Sequence, residues 1–184
     1  MRVCFFLTLG TAACAMAAVE CACDHAAPAT LQARECSLCQ EADRHAAGAQ
    51  GSVPVFYLKD SSPRKPNRTL ILPVRHSKGQ QDLRQLSSEE RRRFWQAAMA
   101  KAEELFPGGA WGLAINSESV RTQCHLHLHI GRLNEGLDES SGRLVAGPAQ
   151  IPLPEAGLGI WLHPVPGGLH LHTDREIAEP VLVR

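Results

Sequence analysis

The feature that most constrains the fold is a short stretch in which histidine alternates with large apolar residues. Residues 124–130 read Cys-His-Leu-His-Leu-His-Ile. Because successive side chains of a β-strand point to opposite faces, a strand here places the three histidines on one face and the apolar side chains on the other. Such a strand must pack its apolar face on a core. The alternation therefore predicts a half-buried strand over Gln123 to Leu133.

Other segments predict the remaining elements. Ser87 followed by Glu89 and Glu90 is typical of a helix start, apolar residues then recur at helical spacing, and Pro107-Gly108-Gly109 ends the helix. Further strands are predicted at Val53 to Lys59, Arg68 to Val74 and Trp111 to Asn116, with a hairpin at Trp161 to His172. The order of these elements predicts an α+β domain with an antiparallel sheet and one main helix.

The segments between these elements give weaker signals. Thr30 to Ala47 could hold a short helix, and Asp174 to Glu179 one helical turn before a last short strand. Residues 134–159 are rich in glycine and proline and are expected to be irregular.

Composition narrows the classes of protein to consider. The chain has 184 residues, with 19 Lys+Arg and 19 Asp+Glu, so its net charge is zero with neutral histidine. A balanced charge argues against a chain that binds nucleic acid through overall positive charge, and we expect no nucleic-acid partner. The longest apolar run lies at the N-terminus, which argues against a multi-span membrane protein.

The N-terminus predicts export. An apolar run follows Arg2, and Ala15-Met16-Ala17 is typical of a cleavage site, so residues 1–17 are interpreted as a signal peptide, with an uncleaved anchor as the alternative. We expect a periplasmic or extracellular protein, with a cysteine-containing segment at 18–50 and a catalytic domain at 51–184.

The cysteines have three interpretations. An exported protein meets an oxidising compartment, so the pair Cys36 and Cys39 could form a structural disulfide. The same pair could instead supply half of a zinc site, completed by His76 or by a histidine of the later row such as His125. A redox pair is the third interpretation, although no thioredoxin-like pattern follows.

The histidine row could be a solvated face, a metal-binding row or a phosphate-binding row with a nucleophile. Asn116, Arg121, Thr122 and Gln123 lie just before it and supply an amide, a cation, a hydroxyl and a second amide. These are the donors that hold phosphate oxygens during phosphoryl transfer. Histidine also suits attack on phosphorus, because it is mostly neutral near pH 7. The surroundings therefore favour phosphate chemistry.

These segments resemble the histidine-triad (HIT) superfamily of nucleotide hydrolases and transferases and, within it, the CDP-diacylglycerol pyrophosphatase family. The resemblance runs from about residue 30 to the C-terminus and is strongest in three blocks, which are Leu113 to Ser117, Arg121 to Gln123 and His125 to Ile130. It implies a HIT-like antiparallel sheet. One departure is Gly131, which stands where an apolar residue usually closes the triad motif.

The resemblance also implies roles. His127 would attack phosphorus to form a nucleotidyl-histidine, His129 would contact phosphate, and His125 would support the row. The residues expected to bind phosphate are Asn116, Arg121, Thr122, Gln123 and His76. The reaction would convert CDP-diacylglycerol, a nucleoside-diphosphate lipid, to CMP and phosphatidate without a cofactor or catalytic metal, with a membrane surface and a homodimer as possible partners. Alternatives are a hydrolase of a soluble nucleotide conjugate and a non-catalytic zinc- or nucleotide-binding protein.

A second group of histidines lies near the C-terminus. His163, His170 and His172 are expected to be exposed on the hairpin, with metal binding or contact with the edge of the substrate as alternatives.

Overall fold

The computed structural model describes residues 36–46, 55–75, 82–121, 123–137 and 139–184. The predicted signal peptide and two predicted site residues, His76 and Thr122, lie outside this part of the chain. Among the residues that the structure describes, no helix combines the length and the apolar character needed to span a bilayer.

The described chain forms one antiparallel sheet with two helices. Its α-helices are α1 (Ser37–Ala46) and α2 (Ser88–Leu105), and its strands are β1 (Val55–Lys59), β2 (Thr69–Pro73), β3 (Trp111–Ile115), β4 (Leu128–Arg132), β5 (Arg143–Val145), β6 (Ile160–Val165) and β7 (Gly168–His172). The seven strands lie in the order β1-β2-β4-β3-β6-β7-β5. Every strand pair is antiparallel. The predicted α+β class and the antiparallel sheet are therefore confirmed.

Helix α2 covers one face of the sheet. Its start is fixed by a capping box, in which Ser87 Oγ accepts from the Glu90 amide and Glu90 accepts in return from the Ser87 amide. Buried Phe94 and Trp95 then pack against the apolar row that alternates with the histidines. Burying this row is the main force that fixes the register of β4, because a slip of one residue would send every apolar side chain to the wrong face.

Two segments pack on the opposite face of the sheet. Helix α1 packs on β1 and β2 in one apolar cluster, and the C-terminal segment packs on β3 and β6 in another, with Leu182 fully buried there. The histidines of β6 and β7 lie at the other end of this face. Helix α1 and the C-terminal segment cover separate parts of the face, and a cavity remains between them.

The structure corrects three predictions. The predicted strand from Gln123 begins only at Leu128, where the pairing of β4 with β2 starts. Residues 134–159 are not wholly irregular, since β5 pairs with β7. The predicted last helical turn is a 3₁₀ turn at Glu179–Val181, followed by a single bridge at Leu182 instead of a strand.

The expected exposure of the second histidine group is also wrong. His172 is fully buried and His163 is 6% exposed. Strand alternation indicates which side chains share a face, but the residues that cover that face come from elsewhere in the chain.

Candidate active site

A cavity of about 460 Å³ opens on the sheet face that carries the histidine row. Its lining comes from α1, the β1–β2 loop, the β3–β4 connection, β4 and the C-terminal segment. The lining residues are Ser37, Leu38, Asp60, Ser61, Lys65, Leu70, Asn116, Val120, Arg121, Gln123, His127, His129, Ile177 and Glu179.

His127 is held in one tautomer. Its Nδ1 lies 2.8 Å from the backbone oxygen of His125, and a carbonyl can only accept, so Nδ1 carries the proton and donates. Nε2 is then the unprotonated ring nitrogen. Burial, together with a smaller contribution from the nearby Arg121 cation, lowers the pKa of His127 to about 4, so the imidazole is neutral at pH 7. A neutral imidazole whose Nε2 keeps its lone pair can act as a nucleophile.

His129 lies beside His127 and between two carboxylates. The two rings have centroids 5.2 Å apart. Nε2 of His129 lies 3.1 Å from Oε2 of Glu179, and Nδ1 lies 3.9 Å from Oδ2 of Asp60, although neither contact has hydrogen-bond alignment. Burial, followed by the charges of neighbouring cationic groups, holds the pKa of His129 well below its usual value. His129 is thus neutral but adjacent to a carboxylate that can share a proton with it.

Two cations and a helix start lie at the cavity, beside the carboxylates of Asp60 and Glu179. Arg121 has a buried side chain whose Nη2 lies 3.4 Å from Oδ2 of Asp82, and Lys65 Nζ lies 2.6 Å from Oε1 of Glu179. Ser37 and Leu38 are the first residues of α1 and also line the cavity. The amides at a helix N-terminus favour negative charge, so three features here favour phosphate.

Asn116 and Gln123 are partly committed to the protein itself. Asn116 Oδ1 accepts the backbone amides of Ala178 and Glu179, each at 2.9 Å, and so holds the C-terminal segment over the cavity. Gln123 Oε1 lies 3.0 Å from both Cys36 Sγ and Ser37 Oγ, and so joins the β3–β4 connection to α1. Both residues line the cavity, where their amide NH₂ groups are the donors that remain for a phosphate.

His125 lies behind the cavity rather than in it. It is fully buried, and its Nε2 lies 2.7 Å from the carbonyl oxygen of Pro73. Its own carbonyl oxygen accepts from His127. His125 thus ties the approach to β4 to the end of β2 and fixes the orientation of His127, which is a positioning role.

Cys36, Cys39 and Cys124 are buried in the apolar cluster under α1 and are not disulfide-bonded to one another. A side-chain hydrogen bond from Cys39 and backbone amides lower the pKa of Cys36 to about 5, against the opposing effect of burial. Of the three interpretations of this pair, the disulfide between Cys36 and Cys39 does not occur in the structure. The alternative zinc site includes His76, which lies outside the described residues.

A model of the CDP-diacylglycerol pyrophosphatase family matches residues 16–140, about two thirds of the chain. The chain belongs to the CDP-diacylglycerol pyrophosphatase family. The family name implies a diphosphatase, and the matched range contains the whole β3–β4 connection and the histidine row.

Sequence reasoning missed three charged residues of the cavity, which are Asp60, Lys65 and Glu179. Lys65 lies in a loop that also contains Arg64 and Arg68, so its basic composition could have marked it. Asp60 and Glu179 carry no local signal. Glu179 lies 50 residues after His129 in the chain and reaches it only because the C-terminal segment folds back over the sheet.

Proposed function

We propose that the chain hydrolyses the diphosphate linkage of CDP-diacylglycerol to CMP and phosphatidate, with His127 as the nucleophile. The observation that carries the proposal is the bond from His127 Nδ1 to the His125 carbonyl, inside a cavity lined with phosphate-binding groups. This bond gives Nε2 the lone pair and keeps the ring oriented toward one attack direction.

In the first step, Nε2 of His127 attacks the phosphorus on the cytidine side. The bond from this phosphorus to the bridging oxygen breaks, and phosphatidate leaves with the electron pair. The imidazole becomes cationic when its second nitrogen is bonded to phosphorus, and the His125 carbonyl stabilises the Nδ1–H that carries this charge. Arg121 and Lys65 would balance the charge that develops on the phosphate oxygens.

In the second step, water attacks the same phosphorus and the nitrogen–phosphorus bond breaks. The products are CMP and the neutral His127 imidazole, so the enzyme returns to its starting state. The pair formed by His129 and Glu179, 3.1 Å apart, can accept the proton that the water loses. The ring of His129 lies beside that of His127, with centroids 5.2 Å apart, so the pair is close to the phosphorus that water attacks.

Apolar side chains at the edge of the cavity offer a place for the lipid part of the substrate. Ile177 is 50% exposed although it is a large apolar residue, and it lines the cavity together with Val120 and Leu38. Apolar side chains beside a phosphate-binding site suit a diphosphate that carries a lipid. A soluble nucleotide conjugate would make no use of this edge.

The test compares labelled CDP-diacylglycerol in mixed micelles with a water-soluble CDP ester. We expect release of CMP from the lipid substrate, and a fall of at least about 10⁴-fold in His127→Ala. His45→Ala, which changes an exposed histidine of α1, is the matched control and should keep the wild-type rate. Label from the α-phosphate should be trapped on His127 as an acid-labile, alkali-stable adduct.

Other results would separate the alternatives. Turnover of the soluble ester alone would replace the lipid substrate with a nucleotide conjugate. Stoichiometric zinc held through His127 and His129, without turnover of either substrate, would make the chain a binding protein. Unchanged activity in His127→Ala would remove the proposed nucleophile.

We also propose, on the resemblance of the triad block, that the fold and chemistry are those of the HIT superfamily. Export remains a prediction from residues 1–17. Mass spectrometry of the N-terminus of the cell-fractionated protein tests it, since cleavage predicts a chain that begins at Ala18.

A further inference from the structure

A second group of histidines lies at the other end of the same sheet face. His163 on β6 is paired in register with His170 on β7, and His172 is paired with Trp161. One ligand atom from each of the three histidines lies within 4.8 Å of the other two. Within the described part of the chain, this is the one group of three or more histidine, cysteine or acidic residues close enough to hold a metal ion.

Three ring nitrogens of this group make no hydrogen bond within the described part of the chain. Nε2 of His163 and both ring nitrogens of His172 are buried without a hydrogen bond among the described residues. Leaving a buried polar atom unsatisfied costs about 1–3 kcal/mol, so three such atoms in one place require an explanation. A ligand that accepts nitrogen lone pairs would satisfy them.

A carboxylate completes the group. Oε2 of Glu139 lies 3.4 Å from Nε2 of His163 and 3.4 Å from Nδ1 of His170. Ligand atoms about 2.0–2.1 Å from a tetrahedral zinc ion are separated by about 3.3 Å. The carboxylate thus stands at the distance from two histidines that a shared ion would impose.

The walls of the group hold its rings in place. The ring of His172 stacks on Trp161 with centroids 3.6 Å apart and planes 6° from parallel. Gly142 closes the opposite side, since a Cβ at this position would lie 2.3 Å from Nε2 of His170 and 2.4 Å from Cε1 of His172. Glycine at position 142 therefore leaves room for the rings to converge.

We propose that His163, His170, His172 and Glu139 form a binding site for a divalent transition metal of the zinc class. Three imidazoles and one carboxylate give four ligands, the number that a closed structural zinc site uses. The ion would fasten the segment that precedes β5 to the β6–β7 hairpin.

This site is separate from the cavity. His129 lies on β4, which is separated by β3 from β6 and lies three strands from β7. At about 4.8 Å per strand, the two groups are about 10–15 Å apart. Metal at the second site therefore does not contact the reacting phosphorus, and its binding can be tested independently of turnover.

The test uses the purified full chain, stripped of metal and titrated with Zn²⁺ against a chromophoric chelator. We expect one ion per chain with a Kd below about 1 µM, and Co²⁺ should give the visible absorption of tetrahedral coordination. The double variant His163→Ala/His170→Ala should bind at least about 100-fold more weakly, because it loses two ligands. His127→Ala should bind Zn²⁺ like the wild type.

A glycine pair provides a test that removes no ligand. Gly142→Ala should weaken Zn²⁺ binding at least about tenfold because its methyl group displaces the rings of His170 and His172. Gly147→Ala is the matched control, since a Cβ there meets nothing within 4 Å. Circular dichroism of the metal-free proteins shows that each variant folds. Absence of Zn²⁺ binding in the wild type, or binding lost in His127→Ala and kept in the double variant, would overturn the proposal.

Discussion

Two groups of histidines occupy one face of the same sheet, and their surroundings give them different chemistry. The register places Leu70, His129, Ala114, Trp161 and His172 in a single row across five strands. At one end of the row the histidines line an open cavity with two cations. At the other end they converge on a carboxylate and are closed in by a glycine and an indole ring.

The comparison shows that burial alone does not decide what a histidine does. Burial lowers the pKa of His127 and of His172 to about 4 in both places, so both rings are neutral at pH 7. His127 then has one nitrogen committed to a carbonyl and the other available for attack. Neither ring nitrogen of His172 makes a hydrogen bond among the described residues, which suits a metal ligand. The partner of the second nitrogen would therefore distinguish the proposed nucleophile from the proposed metal ligand.

The largest difference in activity should appear when one histidine from each end of the row is replaced by alanine in separate variants. His129→Ala removes the ring beside the nucleophile and should lower kcat/KM for CDP-diacylglycerol about 10³-fold, equivalent to about 4 kcal/mol. His170→Ala should change kcat/KM by less than about threefold, because it lies outside the cavity. Steady-state kinetics on both proteins make the comparison. Equal losses in the two variants would mean that the groups act as one site.

How far the sequence predicts this arrangement depends on how local each signal is. The cap at Ser87 and the Pro166-Gly167 turn lie within the elements they define, so helix α2 and the β6–β7 hairpin could be placed from sequence. The start of β4 at Leu128 could not, because it depends on pairing with strands from other parts of the chain. Glu179 could not either, because it reaches His129 through the folded C-terminal segment.

The same limit applies to the histidines. Alternation predicts that His127 and His129 share a face, and both line the cavity. It cannot show that His125 turns to the carbonyl of Pro73, because that contact joins residues 52 positions apart. It also cannot show that His163 and His172 are buried.

The second prediction concerns pH and stability. His127 has a folded pKa of about 4, below the value of about 6.5 for an exposed imidazole. Between these values the unfolded chain binds more protons, so the stabilisation is complete above about pH 6.5 and is lost as the pH falls toward 4. From pH 7 to pH 4.5 this group should cost the fold about 2 kcal/mol.

Urea unfolding at the two pH values measures this cost. His127→Gln should lose less stability on acidification than the wild type, by about the same 2 kcal/mol, since glutamine does not titrate. His45→Gln, at an exposed position, is the control and should follow the wild type. An unchanged difference between pH 7 and pH 4.5 in His127→Gln would show that His127 is not held neutral by burial.

The third prediction concerns the C-terminal segment, which packs between the two groups of histidines. Arg68 is buried, and its Nη2 and Nε donate to the backbone oxygens of Leu182 and Val183 at 2.7 and 3.2 Å. Arg68→Met leaves these carbonyls without donors and should cost about 2–3 kcal/mol of unfolding free energy. It should also lower kcat, because Glu179 on the same segment faces His129.

Chemical denaturation and turnover of Arg68→Met give the two measurements. Arg75→Met is the matched exchange at a side chain that is 84% exposed, and it should change stability by less than about 0.5 kcal/mol. Loss of stability without loss of turnover would show that the segment covers the sheet but does not position Glu179 for the reaction.

The smallest effects concern the two glycines on which Leu182 packs. A Cβ at Gly112 would lie 2.7 Å from Cδ2 of Leu182 and 3.0 Å from Cδ1 of Leu133, so Gly112→Ala should cost about 1–3 kcal/mol. A Cβ at Gly131 would lie 3.4 Å from Leu182 Cβ, an ordinary contact, so Gly131→Ala should change stability by less than about 1 kcal/mol in thermal or urea unfolding. A cost at Gly131 as large as that at Gly112 would contradict this geometry.

The expected difference between the two stability costs bears on Gly131 as a departure from the triad motif, because Leu182 lies where a larger side chain at position 131 would project. The C-terminal segment thus supplies an apolar side chain beside Gly131, and the same segment carries Glu179 to His129.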